Sequence, residues 1–212
     1  VWDMPELGTF NLHASLLPDY RGAAPINWAI MNGDRESGIT TFMLNEEIDK
    51  GAVIAQERVT IGPDDDAGTL HDNLMVRGGE LVCRSVDLIA WGEVTPMPQP
   101  ETGSFRPAPK IFKADCLIEW DTEAEKIRNK VRGLSPYPAA WCELKGEMFK
   151  VYHVAAEPFG SIRPAPGAIE SDGKSYVRVA AKDAWLSLKE LQLSGKRRMG
   201  IAEFLRGNRM FD

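Results

Sequence analysis

Asn11-Leu12-His13-Ala14-Ser15-Leu16-Leu17-Pro18-Asp19-Tyr20-Arg21-Gly22 is the stretch that decides the fold. Its first residues predict the end of a short strand over 9–13, on which Asn11 and His13, two positions apart, share a face. Pro18 and Gly22 indicate a loop after that strand. An amide and an imidazole on one face, followed directly by a structured loop, indicate a site at the end of a strand.

Strands and helices alternate after this loop. Residues 23–31 predict a helix, with Pro25 in its first turn, where a missing N–H costs nothing. β-Branched and aromatic residues predict strands over 38–44 and 52–61, which the polar loop 45–51 joins as a hairpin. The first part of the chain therefore predicts an α/β fold.

A long amphipathic helix follows the hairpin. Thr69 is a suitable N-cap residue, and the apolar residues after it recur at helical spacing. We expect this stripe and Cys83 to lie in the core. The stripe comprises Leu70, Leu74, Leu81, Val82, Val86 and Ile89.

The charge balance changes along the chain. Residues 1–92 carry a net charge of −9 and residues 93–212 one of +3, which together give the −6 of the whole chain. Five prolines between Pro96 and Pro109 indicate a semi-rigid extended linker at this change. We therefore predict a first domain over 1–94, a linker over 95–110 and a second domain over 111–212.

The sequence of the second domain predicts mostly short strands. A strand over 116–120 and a helix capped by Thr122 are followed by closely spaced strands with polar turns. This pattern is typical of a small antiparallel barrel. The predicted strands cover 140–144, 149–155, 167–171, 175–180 and 185–192, and a short helix covers 201–206.

Composition excludes several classes of protein. The apolar fraction of 43% is sufficient for a core, and no run of eighteen apolar residues predicts a membrane span. The three cysteines are scattered without a CxxC pair, so we expect no zinc site or disulfide framework and a cytoplasmic location.

Asp49 is the candidate third member of the site, because it follows a strand and can reach the same end of the sheet. Asn11, His13 and Asp49 include no Ser or Cys nucleophile, so an acyl-enzyme triad is not indicated. They fit direct transfer of an acyl-type group to an amine, in which Asn and His hold the developing oxyanion. His, or a water oriented by Asp, accepts the proton of the amine. A structural His near a strand is the alternative.

The motif Asn11-x-His13-x-Ser15-Leu16-Leu17-Pro18-x-x-Arg21-Gly22, with Gly38-x-Thr40 and Asp49-x-Gly51, resembles the signature of the folate-dependent formyltransferases. Within that family, the stretches Ala23–Ile26, Pro109–Ile111 and Arg132–Trp141 are similar to the members that act on methionyl-tRNA. The resemblance covers essentially the whole chain.

This resemblance implies a Rossmann-like formyltransferase domain followed by an OB-like barrel that helps to hold tRNA. It implies that Asn11 and His13 bind the formyl oxygen, and that Asp49 tunes His13 and holds a water. Ser15, Leu16, Leu17 and Pro18 would line the tetrahydrofolate site. The donor would be 10-formyltetrahydrofolate and the acceptor the α-amine of initiator Met-tRNA, in a metal-free and monomeric enzyme.

The family also has a Rossmann-like segment before the position of Val1. We therefore expect residues 1–92 alone to be a poor formyltransferase. Two alternatives remain open: a formyltransferase that acts on an amino-sugar nucleotide, and an RNA-binding module without activity.

Basic residues near the C-terminus favour a tRNA acceptor. Phosphate contact requires only Lys and Arg on one side of a domain, although a solvated charged surface has the same composition. The candidates are Lys189, Lys196, Arg197, Arg198 and Arg206.

Overall fold

The structure, a computed structural model, describes residues 3–212 in two compact units. The first unit holds the described residues up to Ile30 together with 34–111, and the second holds 31–33 and 112–212. The elements that begin in the first unit are β1 (Phe10–His13), β2 (Arg21–Gly22), α1 (Pro25–Met31), β3 (Glu36–Met43), β4 (Val53–Thr60), α2 (Ala67–Ala90) and β5 (Pro107–Ala108).

The main sheet of the first unit has the order β1-β3-β4, and its described strands are antiparallel. The predicted hairpin is confirmed, since β3 and β4 pair along their length. His13 lies opposite Thr40 on the central strand, which in turn lies opposite Gln56 on β4. The strand that carries the candidate site is thus held against the middle of the sheet.

Helix α2 begins earlier than the sequence indicated. Asp66, not Thr69, is its N-cap, and the Asp66 carboxylate accepts the Thr69 N–H at 2.8 Å. The expectation that Cys83 lies in the core is wrong, as Cys83 is exposed. Of the predicted stripe, Leu70, Leu74 and Leu81 are buried as expected, whereas Val86 is 47% exposed. The buried positions are Ala67, Leu70, Leu74, Gly78, Leu81 and Ser85.

Two contacts seat α2 on the sheet. The Thr41 and Ser85 hydroxyls are hydrogen-bonded at 2.7 Å in the buried interface. A Cβ on Gly78 would lie 2.7 Å from Leu12 Cδ2, so the absence of a side chain there lets Leu12 pack against the helix. Because Leu12 faces α2, Asn11 and His13 lie on the opposite face of β1.

The proline-rich stretch predicted as a linker is extended, and it packs against the first unit. Met97 exchanges two 2.8 Å backbone hydrogen bonds with Val53, and β5 pairs in parallel with β2. The Trp28 indole N–H donates to the Pro109 carbonyl at 2.8 Å. Residues up to Ile111 therefore belong to the first unit.

The second unit is rich in strands, with one antiparallel sheet of order β6-β7-β10-β9-β8 and β11 beside β10. Its core includes Phe149, Phe204 and Phe211, whose rings pack 5.6–6.2 Å apart. Its elements are a 3₁₀ helix (Lys113–Cys116), α3 (Ala124–Leu134), β6 (Ala140–Leu144), β7 (Glu147–Glu157), β8 (Ile169–Ser171), β9 (Val177–Ala180), β10 (Trp185–Leu193), β11 (Met199–Gly200) and α4 (Ile201–Gly207).

Two local predictions in this unit are wrong. No strand forms at 116–120. The 3₁₀ helix, whose turn is closed by the Asp115 carboxylate accepting the Phe112 N–H at 2.8 Å, ends at Cys116, and Leu117 forms only an isolated parallel bridge with Trp141. Thr122 does not cap α3. The Ala124 N–H instead donates to the Asp183 carboxylate at 2.8 Å, from a turn far along the chain.

No helix among the described residues is both long and apolar enough to cross a membrane.

Candidate active site

His13 ends β1 and is almost fully buried, with 6% of its surface exposed. The loop that follows β1 folds back, so His13 Nε2 lies 2.8 Å from the Tyr20 carbonyl oxygen. The edge-on ring of Phe42 lies 6.4 Å from the imidazole. Backbone and aromatic contacts together fix the orientation of the imidazole ring.

Asp49 lies in the loop between β3 and β4 and reaches His13, as the sequence predicted. Its Oδ2 atom is 3.8 Å from His13 Nδ1 and accepts the Gly22 N–H at 2.8 Å. Asp49 has a φ of +55°, in the left-handed region that Asp tolerates better than most residues. The carboxylate is therefore anchored to the loop that follows His13.

These contacts distinguish the two nitrogens of His13. A carbonyl oxygen only accepts, so Nε2 carries the hydrogen that Tyr20 binds. Nδ1 then faces Asp49, and 3.8 Å exceeds a direct hydrogen bond. That separation suits a bridging water or substrate N–H group. Nδ1 is consequently the nitrogen available for chemistry.

Asn11 lies on the same face of β1 as His13, opposite Phe42 in the register of the sheet. Its side chain is exposed, so its amide can donate to a ligand that approaches His13 from solvent. The structure thus brings together all three residues predicted to be catalytic.

Thr40 and Gln56 hold the loop predicted to line the folate site. The Thr40 hydroxyl donates to the Ser15 carbonyl at 2.6 Å and accepts the Leu17 N–H at 3.2 Å. The Gln56 amide donates to the Leu17 carbonyl at 2.8 Å. Ser15 is fully buried, and its hydroxyl donates to the Asp19 carbonyl, so its side chain shapes the loop from within.

Leu16 and Pro18 are half-buried, whereas Leu17 is buried. A Cβ on Gly38 would lie 2.5 Å from Leu16 Cδ2 and 2.2 Å from the Glu57 carbonyl oxygen, so only glycine admits Leu16 there. A cavity of about 490 Å³ opens along the loop, and Leu16, Leu17 and Pro18 form one wall. This loop therefore presents apolar surface beside an open cavity.

The basic residues proposed for tRNA contact are all exposed in the second unit. Three face carboxylates: Lys189 Nζ is 3.6 Å from Glu157, Arg198 Nη2 is 2.6 Å from Glu190, and Arg197 pairs with Glu203. Lys196 precedes Arg197 in the turn before β11, and Arg206 lies on α4. Acidic neighbours therefore offset part of the predicted positive surface.

Sequence reasoning missed Gln99, which contacts the Asp49 loop. Its side-chain amide donates to the Asp49 carbonyl at 2.9 Å and to the Gly51 carbonyl at 2.8 Å. Its side-chain oxygen accepts from Arg21 Nε at 3.1 Å and Nη2 at 2.6 Å. An isolated Gln between prolines carries no periodic signal, so the sequence offered no means of finding it.

Arg106 was also missed, although it supports the residue that binds His13. Its guanidinium lies 4.5 Å from the centre of the Tyr20 ring and donates to Asp34 at 2.7 Å and to Asp19 at 3.1 Å. The Tyr20 hydroxyl also donates to Asp34, at 2.7 Å. The carbonyl that accepts from His13 is thus part of a rigid cluster.

Within the described residues, no three His, Cys, Asp or Glu side chains are arranged to hold a metal ion.

Two family models match the chain. The model described as "Formyl transferase" matches residues 1–86, and "Formyl transferase, C-terminal domain" matches residues 110–209. The methionyl-tRNA formyltransferase of Phocaeicola vulgatus is 51% identical, with all of this chain and 68% of the relative aligned. That of Parabacteroides distasonis is 52% identical over 98% of this chain and 66% of the relative. The chain spans about two thirds of the length of these relatives.

Solved structures show the same fold at low identity. HypX from Aquifex aeolicus in complex with tetrahydrofolic acid is 20% identical, with a TM-score of 0.69 over 93% of this chain and 34% of that one. An N-formyltransferase from Helicobacter canadensis is 19% identical, with a TM-score of 0.66 over 90% of this chain and 66% of that one. The two family models and these likenesses together show a formyltransferase fold with a Rossmann-like first domain and a β-rich second domain. Its identity to the curated relatives places this chain in the methionyl-tRNA formyltransferase family.

Proposed function

We propose that the chain transfers a formyl group from 10-formyltetrahydrofolate to the α-amine of initiator Met-tRNA, with Asn11, His13 and Asp49 as catalytic residues. The carrying observation is the 3.8 Å approach of Asp49 Oδ2 to His13 Nδ1, beside an exposed Asn11 on the same strand face. Family membership supports the reaction, and the geometry supports the assignment of these residues.

The reaction needs a balanced movement of one proton. The amine nitrogen forms a bond to the formyl carbon and loses a proton, while the bond from that carbon to the folate nitrogen breaks and the folate nitrogen gains a proton. 10-Formyltetrahydrofolate supplies the activated formyl group, and tetrahydrofolate is the leaving group. The protein has to stabilise the charge on the formyl oxygen and to move the proton.

His13 acts through Nδ1, because Tyr20 occupies Nε2. In the neutral ring, Nδ1 accepts a proton from the amine, either directly or through a water that Asp49 holds. After protonation, Nδ1–H lies beside the Asp49 carboxylate, which stabilises the imidazolium. Asn11 donates its amide N–H to the formyl oxygen, where negative charge develops.

Tetrahydrofolate would bind along the loop from Ser15 to Pro18. Leu16 and Pro18 offer apolar contact, as an aromatic ring system requires, and Thr40 and Gln56 keep the loop in one conformation. Ser15 would contribute to folate binding indirectly, because its buried hydroxyl holds the backbone of the loop in shape. The residues of this loop are therefore suited to binding tetrahydrofolate.

We further propose that the second unit is an OB-like support for tRNA, to which Lys189, Lys196, Arg197, Arg198 and Arg206 bring phosphate contacts. The single antiparallel sheet and its exposed basic residues support this role. An amino-sugar nucleotide acceptor is not favoured, because similarity to the N-formyltransferase from Helicobacter canadensis, solved with folinic acid and dTDP-3-aminofucose, is limited to the fold, at 19% identity.

Formyl transfer to Met-tRNA by purified His13→Asn and Asp49→Asn variants tests the assignment. We expect kcat to fall by about 10²–10⁴-fold in each, the usual contribution of acid–base groups, while each variant still unfolds cooperatively on heating. Cys83→Ser, an exposed change outside the site, is the control. Full turnover by both site variants would reject the assignment.

A further inference from the structure

We propose that Gln99 is a positioning residue for formyl transfer, which holds the Asp49 loop in its reactive conformation. This inference rests on the proposed role of Asp49. Gln99 lies in the proline-rich stretch and is 9% exposed. It contacts the loop only through backbone carbonyls, so it acts through Asp49 and not on substrate.

The Asp49 loop needs external support. Asp49 has a φ of +55°, and a non-glycine residue in the left-handed region persists only when its surroundings enforce that conformation. Two residues later, a Cβ on Gly51 would lie 1.5 Å from the Met43 carbonyl oxygen, so the loop passes as close to β3 as a chain can. A small displacement of this tight turn would move the Asp49 carboxylate away from His13.

Gln99 supplies that support directly after Asp49. Its two amide hydrogens go to the carbonyls of Asp49 and Gly51, at 2.9 and 2.8 Å. Both carbonyls follow the Asp49 Cα, so these bonds fix the peptide groups on the C-terminal side of the positive-φ residue. Without these donors the two carbonyls would lose their hydrogen bonds to Gln99, and the loop would be free to shift.

Arg21 fixes the orientation of the Gln99 amide. The side-chain oxygen of Gln99 accepts two N–H groups of Arg21, at 3.1 and 2.6 Å, which excludes a flipped amide because nitrogen there would face two donors. The Arg21 guanidinium itself lies 5.7 Å from the centre of the Phe105 ring. Gln99 thus connects the loop after His13 to the loop of Asp49.

Two variants separate support of the Asp49 loop from support of Arg21. Gln99→Leu removes both interactions. Gln99→Glu keeps an acceptor for Arg21 but places a carboxylate against two carbonyls. We expect both to lower kcat by about 10–100-fold, as a misplacement of about 1 Å does, while KM for Met-tRNA stays within about two-fold. Unchanged kcat in Gln99→Leu, or full activity in Gln99→Glu, would overturn the proposal.

A double-mutant cycle with Asp49→Asn separates positioning from general destabilisation. If Gln99 acts through Asp49, Gln99→Leu should lower kcat by less than about two-fold in the Asp49→Asn background. Partial unfolding would instead lower the rate equally in both backgrounds, and that result would reject the inference. Glu101→Gln, an exposed change in the same stretch, is the matched control.

The cycle also distinguishes failure of this inference from failure of the proposed function. If Asp49→Asn alone keeps full turnover, the catalytic role of Asp49 is wrong and the inference falls with it. If Asp49→Asn is impaired and Gln99→Leu is not, only the positioning role is wrong.

Discussion

At the scale of single residues, Thr40 connects the sheet to the loop that we propose binds folate. Its buried hydroxyl bonds with Ser15, Leu17 and Gln56. Thr40→Val keeps the shape of the side chain but leaves buried loop groups unpaired, at a cost of about 1–3 kcal/mol. We expect KM for 10-formyltetrahydrofolate to rise while KM for Met-tRNA changes little, as steady-state kinetics with each substrate varied would show.

Thr41 is the matched control for this change. It is equally buried, but it faces α2 and bonds to Ser85. Thr41→Val should lower the melting temperature without affecting KM for the folate. An equal rise of that KM in both variants would contradict a specific role for Thr40.

The three cysteines differ in reactivity because they differ in burial. Burial raises the pKa of Cys142 to about 12, and burial also raises the pKa of Cys116, whereas Cys83 is exposed. The thiolate is the reactive form, so both buried thiols stay protonated at pH 8. We expect a thiol reagent to label Cys83 alone in the native protein and all three in denaturant. Rapid labelling of native Cys142, detected by peptide mapping, would contradict the fold around β6.

At the scale of elements, two adjacent glycines of α2 have opposite effects. A Cβ at Gly79 meets nothing within 4 Å, whereas one at Gly78 meets Leu12, the residue between Asn11 and His13. Gly79→Ala should stabilise the protein by about 0.5–1 kcal/mol, since glycine is a poor helix former, with no change in kcat. Gly78→Ala should not stabilise the protein, because the new methyl group displaces Leu12. It should lower kcat, because Leu12 lies between Asn11 and His13.

Thermal unfolding and turnover of the two variants, measured side by side, check this expectation. Equal melting temperatures and equal kcat would contradict the packing of α2 on β1.

Elements with strong periodicity or turn signals were predictable, and contacts between distant residues were not. The β3–β4 hairpin and the approach of Asp49 to His13 are confirmed, because spacing and loop length constrain both. Gln99 escaped prediction since its partners lie about fifty residues earlier, and the burial of Cys83 was wrong since α2 selects one helical face by packing. The strand predicted at 116–120 is reduced to one bridge, from Leu117 to the distant Trp141.

At the scale of the whole molecule, a net charge of −6 opposes tRNA binding unless positive charge is local. Alanine at Lys196, Arg197 and Arg198 should weaken Met-tRNA affinity and make it less dependent on salt. The slope of log affinity against log salt concentration should fall by less than about three. Each phosphate contact contributes about one to that slope, and two of these cations face carboxylates. Binding titrations from low to high salt measure this slope.

A control variant removes the same amount of positive charge from outside the basic stretch. Alanine at Arg84, Lys126 and Lys174, three exposed cations outside the stretch, should lower affinity slightly without altering the slope as much. Equal slopes in the two triple variants would show that net charge, and not the position of the basic residues, governs binding.

Because the proline-rich stretch packs on the first unit, the protein should stay assembled when the chain is cut within that stretch. Exposed residues 101–104 lie between two anchors, Gln99 on the Asp49 loop and Arg106 on the Tyr20 cluster. Beyond the second anchor, β5 pairs with β2. A chain nicked at 101–104 should therefore remain one particle in gel filtration and separate only in denaturant. The C-terminal fragment would then supply residues 105–111, including β5, to the N-terminal fragment. The Asp49–His13 geometry should be the same as in the intact chain.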